Sequence, residues 1–171
     1  YTGSETDITI PSTINGKPVK KIGANAFYRN VNVKLKKVTF PSDSEVDLID
    51  EHAFEDQIEL SEVKLPDSLK KIGIWAFDSC ESLEEIEIPE GVETINSYAF
   101  SRTGISGMTF PEGVRSIGGA VFQYSKQLKK VVFPKSLEHL GDGTFAGCSN
   151  LEEVIFPEGI KISKVPSETF R

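Results

Sequence analysis

The sequence predicts a solenoid of stacked, mostly β rungs, and two observations lead to this prediction. A phrase of the form Ile-Gly-x-x-Ala-Phe recurs seven times, the last time weakly, at residues 22–27, 49–54, 72–77, 95–100, 117–122, 140–145 and 165–170. A second phrase, Leu-x-x-Val-x-Phe-Pro, follows each of the first six copies. A period of 22 to 27 residues is typical of solenoids, in which each turn buries its apolar face against its neighbours.

The Leu-x-x-Val-x-Phe-Pro phrase is predicted to form the first strand of each rung. Its copies occupy residues 35–41, 60–66, 83–89, 105–111, 128–134 and 151–157. The last apolar pair, for example Val63 and Leu65, alternates with a polar residue, which is the period of an extended strand. A proline closes every copy, and because proline cannot donate to a ladder it marks the strand end and the corner that follows.

The segment after each proline is predicted to return along the opposite side of the coil. It alternates again, as in Val92 and Ile95, and it is too short for a helix. The Ala-Phe residues and the few that follow them are then expected to form a one-turn helix or a tight turn. Each rung is therefore predicted to consist of a strand, a corner, a short strand and a turn, with its recurring apolar residues pointing inward.

The combined pattern Ile-Gly-x-x-Ala-Phe-x-x-Cys-x-x-Leu-x-x-Val-x-Phe-Pro resembles the bacterial BspA-type leucine-rich repeat, also called the Treponema pallidum type, over residues 8–170. The resemblance implies one α/β leucine-rich-repeat solenoid, mostly β, of about seven rungs over residues 1–171. It implies a right-handed superhelix with a concave parallel sheet, and short strands and one-turn helices on the other side. It also implies a cell-surface or secreted protein used in adhesion or interaction, but resemblance of fold does not transfer a ligand.

The charge, the apolar runs and the ends of the chain limit the possible functions. The net charge is −7, from 26 acidic and 19 basic residues, which disfavours binding to nucleic acid phosphates. No apolar run approaches the ~18–20 residues that span a bilayer, so no membrane insertion is expected. The chain opens inside a turn and stops one residue after the last repeat phenylalanine, so we expect a segment of a longer protein.

No catalytic, cofactor-binding or metal-binding motif is present in the sequence. The two histidines, His52 and His139, fall four rungs apart, roughly 19 Å at the usual strand spacing. Cys80 and Cys148 fall three rungs apart, roughly 14 Å, whereas a disulfide requires Cα atoms within about 7 Å. We therefore expect no enzymatic activity, and two small thiols that fill tight turns.

The outward residues of the first strand are candidates for a binding surface. They include Lys64, Glu85, Glu87 and Lys130. Charges of opposite sign often alternate between rungs, which avoids stacks of like charge and contributes only about 0–1 kcal/mol per exposed pair. The alternation of charge fails at Glu85 and Glu87, because the next rung is neutral at the equivalent positions. These two carboxylates either have no role beyond the fold or bind a basic partner or a calcium ion.

A column of aromatic residues is the second candidate. His52, Trp75 and Tyr98 lie two residues before the repeat phenylalanine in three consecutive rungs and should stack about 5 Å apart. Tryptophan and tyrosine are frequent in binding hot spots, and their rings are suitable platforms for a sugar. The alternative is that the rings only pack on one another. Tyr28 and Tyr124 lie near turns and are not assigned to a site.

These features lead to one leading function and two alternatives. The first is a non-catalytic cell-surface or secreted adhesion module that binds a host or matrix protein through the concave strands. The second is carbohydrate binding through the aromatic column. The third is a structural spacer that holds another domain away from the envelope. Loss of binding in a Trp75→Ala variant would indicate a functional column, and unchanged binding would indicate a structural one.

Overall fold

A computed structural model of the chain describes residues 3–28, 34–162, 165–166 and 168–170. The strands are short; the first rung contributes four of them, and each later rung contributes one or two. They are β1 (Asp7–Thr9), β2 (Thr13–Ile14), β3 (Lys17–Pro18), β4 (Lys21–Ile22), β5 (Lys37–Thr39), β6 (Leu48–Ile49), β7 (Glu62–Val63), β8 (Lys71–Ile72), β9 (Thr94–Ile95), β10 (Gly107–Thr109), β11 (Ser116–Ile117), β12 (Lys130–Val132), β13 (His139–Leu140) and β14 (Glu153–Ile155).

The first strands of successive rungs form parallel ladders on one side of the solenoid, which we call the ladder face. One sheet has the order β1-β5-β7 and another the order β10-β12-β14. Equivalent repeat positions pair in register, for example Val131 with Val154. Residues 84–88, which carry the same phrase in the intervening rung, do not form a strand, so the ladder face is interrupted there.

The return segments form one continuous parallel sheet, the back sheet. Its six strands lie in the order β13-β11-β9-β8-β6-β4. From Ile22 to Leu140, the first residue of each repeat phrase pairs with its counterpart in the next rung, as Ile72 does with Ile95. The described part of the chain thus contains six complete rungs, and the weak seventh phrase adds a turn at residues 168–170.

The third side of each rung is a turn, and here one expectation is wrong. The described residues contain no helix where one-turn helices were expected. The residue two before each repeat phenylalanine has a positive φ, such as 55° at His52, 52° at Trp75 and 61° at Tyr98. The residue two after the phenylalanine also has a positive φ in the five rungs from Phe54 to Phe145, as Ser79 does at 60°. Because left-handed residues flank these phenylalanines, a helix cannot propagate.

Stacked phenylalanines fill the interior. The rings of Phe54, Phe77 and Phe100 are fully buried. Their centroids are 5.2 and 5.6 Å apart and their planes lie within 9° of parallel. Phe170 of the incomplete seventh rung stacks on Phe145 at 5.6 Å. A second stack joins Phe110, Phe133 and Phe156 beneath the ladder face. Each ring therefore covers its neighbour, which is how a rung without a core of its own becomes stable.

Close contact between rungs explains the glycine of the Ile-Gly phrase. A Cβ added at Gly141 would lie 2.2 Å from the nitrogen of Gly119, and one added at Gly118 would lie 2.4 Å from the nitrogen of Ser97. A Cβ added at Gly23, in the first rung, would meet no atom within 4 Å. The glycines in the later rungs are thus required by the distance between turns of the coil.

Candidate functional site

The seven residues predicted as a binding site lie on two different sides of the rungs. His52, Trp75 and Tyr98 lie in the turns, whereas Lys64, Glu85, Glu87 and Lys130 lie on the ladder face. The structure therefore gives two separate candidate surfaces and does not join them into one site.

The aromatic column, which we define as Tyr28, His52, Trp75 and Tyr98, is a continuous stack. The ring centroids of His52 and Trp75 are 4.7 Å apart, and those of Trp75 and Tyr98 are 5.3 Å apart. Tyr28, which the sequence analysis left unassigned, lies 5.6 Å from His52 with its ring tilted by 44°. The expected stacking of the three predicted rings is therefore confirmed, and the column is one ring longer than expected.

The stacked arrangement limits what the aromatic column presents to solvent. His52, Trp75 and Tyr98 are half-buried, and the faces of the central rings are covered by their neighbours. The histidine also lies between two carboxylates, since its Nδ1 contacts Glu55 and its Nε2 is 3.2 Å from Glu51. In the next two rungs, Ala120 and then Gly143 take the equivalent position. The stack thus ends at Tyr98, and mainly ring edges face outward.

A groove of about 860 Å³ lies on the ladder face, across three consecutive rungs. Three of the predicted residues, Lys64, Glu85 and Glu87, line it. Gly107 lines the groove in the following rung, where the absence of a side chain keeps it open. Lys130 does not line the groove, because it lies one rung beyond Gly107. Its ammonium group pairs with Glu153 at 2.7 Å in the rung after that.

The groove is strongly acidic. Its lining includes five carboxylate side chains and one ammonium group, from Glu62, Asp67, Glu85, Glu87, Glu90 and Lys64. Lys37 donates to Glu62 at 2.9 Å, and this contact together with Lys64 holds the pKa of Glu62 below its usual value. The excess of negative charge makes the groove attractive to cationic groups.

The sequence analysis missed a column of polar residues, four of them buried and one, Cys148, half-buried. It occupies the position three residues after the repeat phenylalanine, where the chain has Gln57, Cys80, Thr103, Ser125 and Cys148. Four of these side chains donate to the carbonyl of the repeat phenylalanine one rung earlier, Cys80 Sγ to Phe54 O at 3.3 Å being one example. The signal that could have revealed this column is the recurrence of small or polar donors at one repeat position.

The two cysteines belong to this polar column, and both are free thiols. Burial raises the pKa of Cys80 well above its usual value, and burial raises the pKa of Cys148 to about 11. Because the thiolate is the reactive form, both are poor nucleophiles and poor metal ligands. They act as hydrogen-bond donors within the turns.

The described ranges 3–28, 34–162, 165–166 and 168–170 contain no group of three His, Cys, Asp or Glu side chains arranged to hold a metal ion. A helix of the length and apolarity needed to cross a bilayer was not found among the same residues.

The sequence and fold of this chain are similar to those of known proteins. The sequence model described as "BspA type Leucine rich repeat region" matches in six copies, over residues 1–129 and 47–171. No curated protein matches the chain. Among solved structures, the T. pallidum leucine-rich repeat protein is similar at 34% identity and a TM-score of 0.83, covering 90% of this chain and 71% of that protein.

Two further bacterial structures show the same fold. A leucine-rich repeat protein from Bacteroides ovatus has 27% identity and a TM-score of 0.77, covering 94% of this chain and 51% of its own. A leucine-rich cell surface protein from Faecalibacterium prausnitzii has 20% identity and a TM-score of 0.50, covering 99% and 74%. The chain thus spans about half the length of the Bacteroides protein. The repeat phrases, the stacked rungs and these matches together show that the chain belongs to the BspA-type leucine-rich repeat family.

Proposed function

We propose that this chain is a non-catalytic, protein-binding module of a bacterial cell-surface or secreted adhesion protein, and that the ladder face is its binding surface. The observation that carries the proposal is the groove of about 860 Å³, which contains three of the residues predicted from the sequence. We expect this face to be the inner, concave side of a right-handed superhelix, as the family resemblance implies. The partner we expect is a host or extracellular matrix protein.

The size of the ladder face fits a protein better than a small molecule. Fifteen residues line the groove, whereas a stable protein interface uses about 20–30 residues on each side. Neighbouring rungs supply the remainder through exposed pairs, such as Lys37 with Glu62 at 2.9 Å and Lys130 with Glu153 at 2.7 Å. Charges at such a rim mainly affect the association rate and its dependence on salt.

Placement at the cell surface is supported by the family. The Faecalibacterium structure is described as a leucine-rich cell surface protein, and the other two similar structures are also bacterial. Extended repeat surfaces are used for binding other proteins. We extend this placement to the present chain as part of the proposal.

Blocking the groove tests the proposal. Gly107→Trp places a large side chain in it, and the substitution is sterically possible because an added Cβ would meet only the carbonyl oxygen of Lys130, at 3.7 Å. We expect this variant to lose at least about tenfold in affinity for any immobilised matrix protein that binds the wild-type chain. Trp75→Ala, on the turn side, should bind like the wild type. The opposite pattern would overturn the proposal and favour the aromatic column.

Glycan binding is a second candidate, favoured by the free end of the aromatic column. No ring follows Tyr98 in the next two rungs, so a sugar ring could continue the stack there. Oligosaccharide titration monitored by the fluorescence of Trp75 tests this directly. A saturable change that is lost in Tyr98→Ala supports glycan binding, and the absence of any change excludes it for the sugars used.

A further inference from the structure

Both ring nitrogens of His52 face a carboxylate. Nδ1 contacts the carboxylate of Glu55, and Nε2 lies 3.2 Å from that of Glu51. A neutral imidazole has one N–H group and one lone pair, so it donates to one carboxylate and turns its lone pair toward the other. The imidazolium has two N–H groups and can donate to both. The contacts of His52 are therefore those that the protonated ring requires.

The two carboxylates differ in exposure, and this makes the charge of His52 important for the turn. The side chain of Glu51 is 48% exposed, whereas that of Glu55 is only 14% exposed. A carboxylate that is mostly removed from water needs a positive partner or a hydrogen-bond donor. When the imidazole is neutral, Glu51 can turn into the solvent, but Glu55 loses the positive charge beside it.

The same ring belongs to the aromatic column. Trp75, in the next rung, stacks on His52 with centroids 4.7 Å apart and planes 16° from parallel. Tyr28, in the preceding rung, lies 5.6 Å away. A cation against the face of an indole is attracted by the negative charge density of that face. Protonation therefore strengthens the contact with Trp75 at the same time as the contacts with the two carboxylates.

The groups that face His52 come from three neighbouring turns. Its own turn supplies the two glutamates, the preceding rung supplies the phenol of Tyr28, and the next rung supplies the uncharged indole of Trp75. Within the part of the chain that the structure describes, no lysine or arginine forms an ion pair with Glu51 or Glu55. The imidazolium is therefore the cation that pairs with both of them.

We propose that this turn is a proton-sensitive element of the solenoid, in which protonation of His52 closes the contacts with both glutamates and the indole, and loss of the proton loosens the stack. Histidine changes charge between about pH 5 and 8, so the closed form is the acidic one. The backbone favours release, because His52 has a φ of 55° and the left-handed conformation is unfavourable for a residue with a side chain. This inference goes beyond the proposed function, since the ladder face lies on another side of the rungs.

The fluorescence of Trp75 tests this element, because it is the only tryptophan in the chain. Emission and far-ultraviolet circular dichroism are recorded between about pH 8 and 5. His52→Asn removes the titrating ring and suits the turn, because Asn25 takes the equivalent position at a φ of 58°. His139→Asn is the matched control, because it removes the other of the two histidines, which lies on the back sheet. Glu55→Gln keeps the size of the mostly buried side chain and removes its charge.

We expect the emission of the wild type to follow one sigmoidal transition while the circular dichroism stays constant. The transition should be lost in His52→Asn and unchanged in His139→Asn. In Glu55→Gln its midpoint should move to lower pH by about one unit, since a neighbouring opposite charge favours the charged ring.

Three results would each overturn the proposal: constant emission of the wild type over this range, a transition that persists in His52→Asn, or an unchanged midpoint in Glu55→Gln. If His52→Asn does not fold, the comparison of Glu55→Gln with the wild type decides. The chemical shifts of the His52 ring protons, followed by NMR over the same range, then give the midpoint independently of the indole.

Discussion

The glycine of the repeat phrase offers a matched pair of identical substitutions with opposite expected effects. Gly23→Ala and Gly141→Ala change the same position of the phrase in different rungs. At Gly141 the added Cβ would lie 2.2 Å from the nitrogen of Gly119 and 2.5 Å from the carbonyl carbon of Gly118. At Gly23 it would meet nothing within 4 Å. The two variants therefore separate the effect of rung spacing from the general effect of replacing glycine.

The expected magnitudes follow from these contacts. Relief of the clash at Gly141 requires a shift of about 1 Å in the backbone, which is held by bonds such as that from the nitrogen of Gly141 to the oxygen of Ile117 at 2.9 Å. Overpacking of this kind costs about 1–3 kcal/mol, and we expect the upper end because only backbone can move. Gly23→Ala should stabilise the chain by about 0.4–1 kcal/mol, since it restricts the unfolded state.

Urea and thermal unfolding followed by far-ultraviolet circular dichroism measure the difference. For a chain of this size, about 3 kcal/mol corresponds to a fall in Tm of about 6–12 °C for Gly141→Ala. Gly23→Ala should unfold at or slightly above the wild-type temperature. If both variants shift equally, the glycines do not report rung spacing, and the account of the Ile-Gly phrase is refuted.

Three other predictions concern side chains. Trp75→Ala removes ring contacts at 4.7 and 5.3 Å and should lower the free energy of unfolding by about 1–3 kcal/mol; an unchanged urea midpoint would show that the column does not stabilise the turns. Burial holds Cys80 and Cys148 as thiols, so Ellman's reagent at pH 8 should label them slowly in the folded chain and rapidly in urea, and equal rates would contradict this placement. Contacts with Lys161 and Arg115 lower the pKa of Glu138 in the folded chain. These contacts therefore stabilise the fold above the pKa of an unfolded glutamate, about 4.3, and the stabilisation is lost as the pH falls through the lower pKa of the folded chain. Glu138→Gln should therefore make the urea midpoint less sensitive to pH between about 5 and 3, and an identical pH profile would contradict the contact.

The fold was predictable because the repeat phrases encode it directly. The positions predicted to point inward, such as Phe77, Ile72 and Leu83, are fully buried. The turns were less predictable. Asn25 and Gly143 occupy the position two before the phenylalanine and tolerate a positive φ, which was a usable signal. Bulky residues at the same position, such as Trp75, hid this signal, because they rarely adopt a positive φ. The expected one-turn helices are therefore turns.

The interruption of the ladder could not be predicted from the phrase. Residues 83–89 carry the same Leu-x-x-Val-x-Phe-Pro pattern as the paired rungs, with Ile86 and Ile88 buried as expected. Loss of pairing depends on small displacements between rungs, and a pattern of apolar positions does not record them. The sequence did identify the acidic residues Glu85 and Glu87, but not the groove they share with Lys64.

Hydrogen–deuterium exchange with a bound partner tests the central claim most directly. The partner is a matrix protein that binds the wild-type chain when immobilised, and exchange is compared with and without it. The unpaired amides of residues 84–88 should exchange rapidly in the free chain and become protected in the complex, together with Gly107–Thr109. Protection confined to the turns that carry His52, Trp75 and Tyr98, with none at residues 84–88, would contradict the assignment of the ladder face as the binding surface.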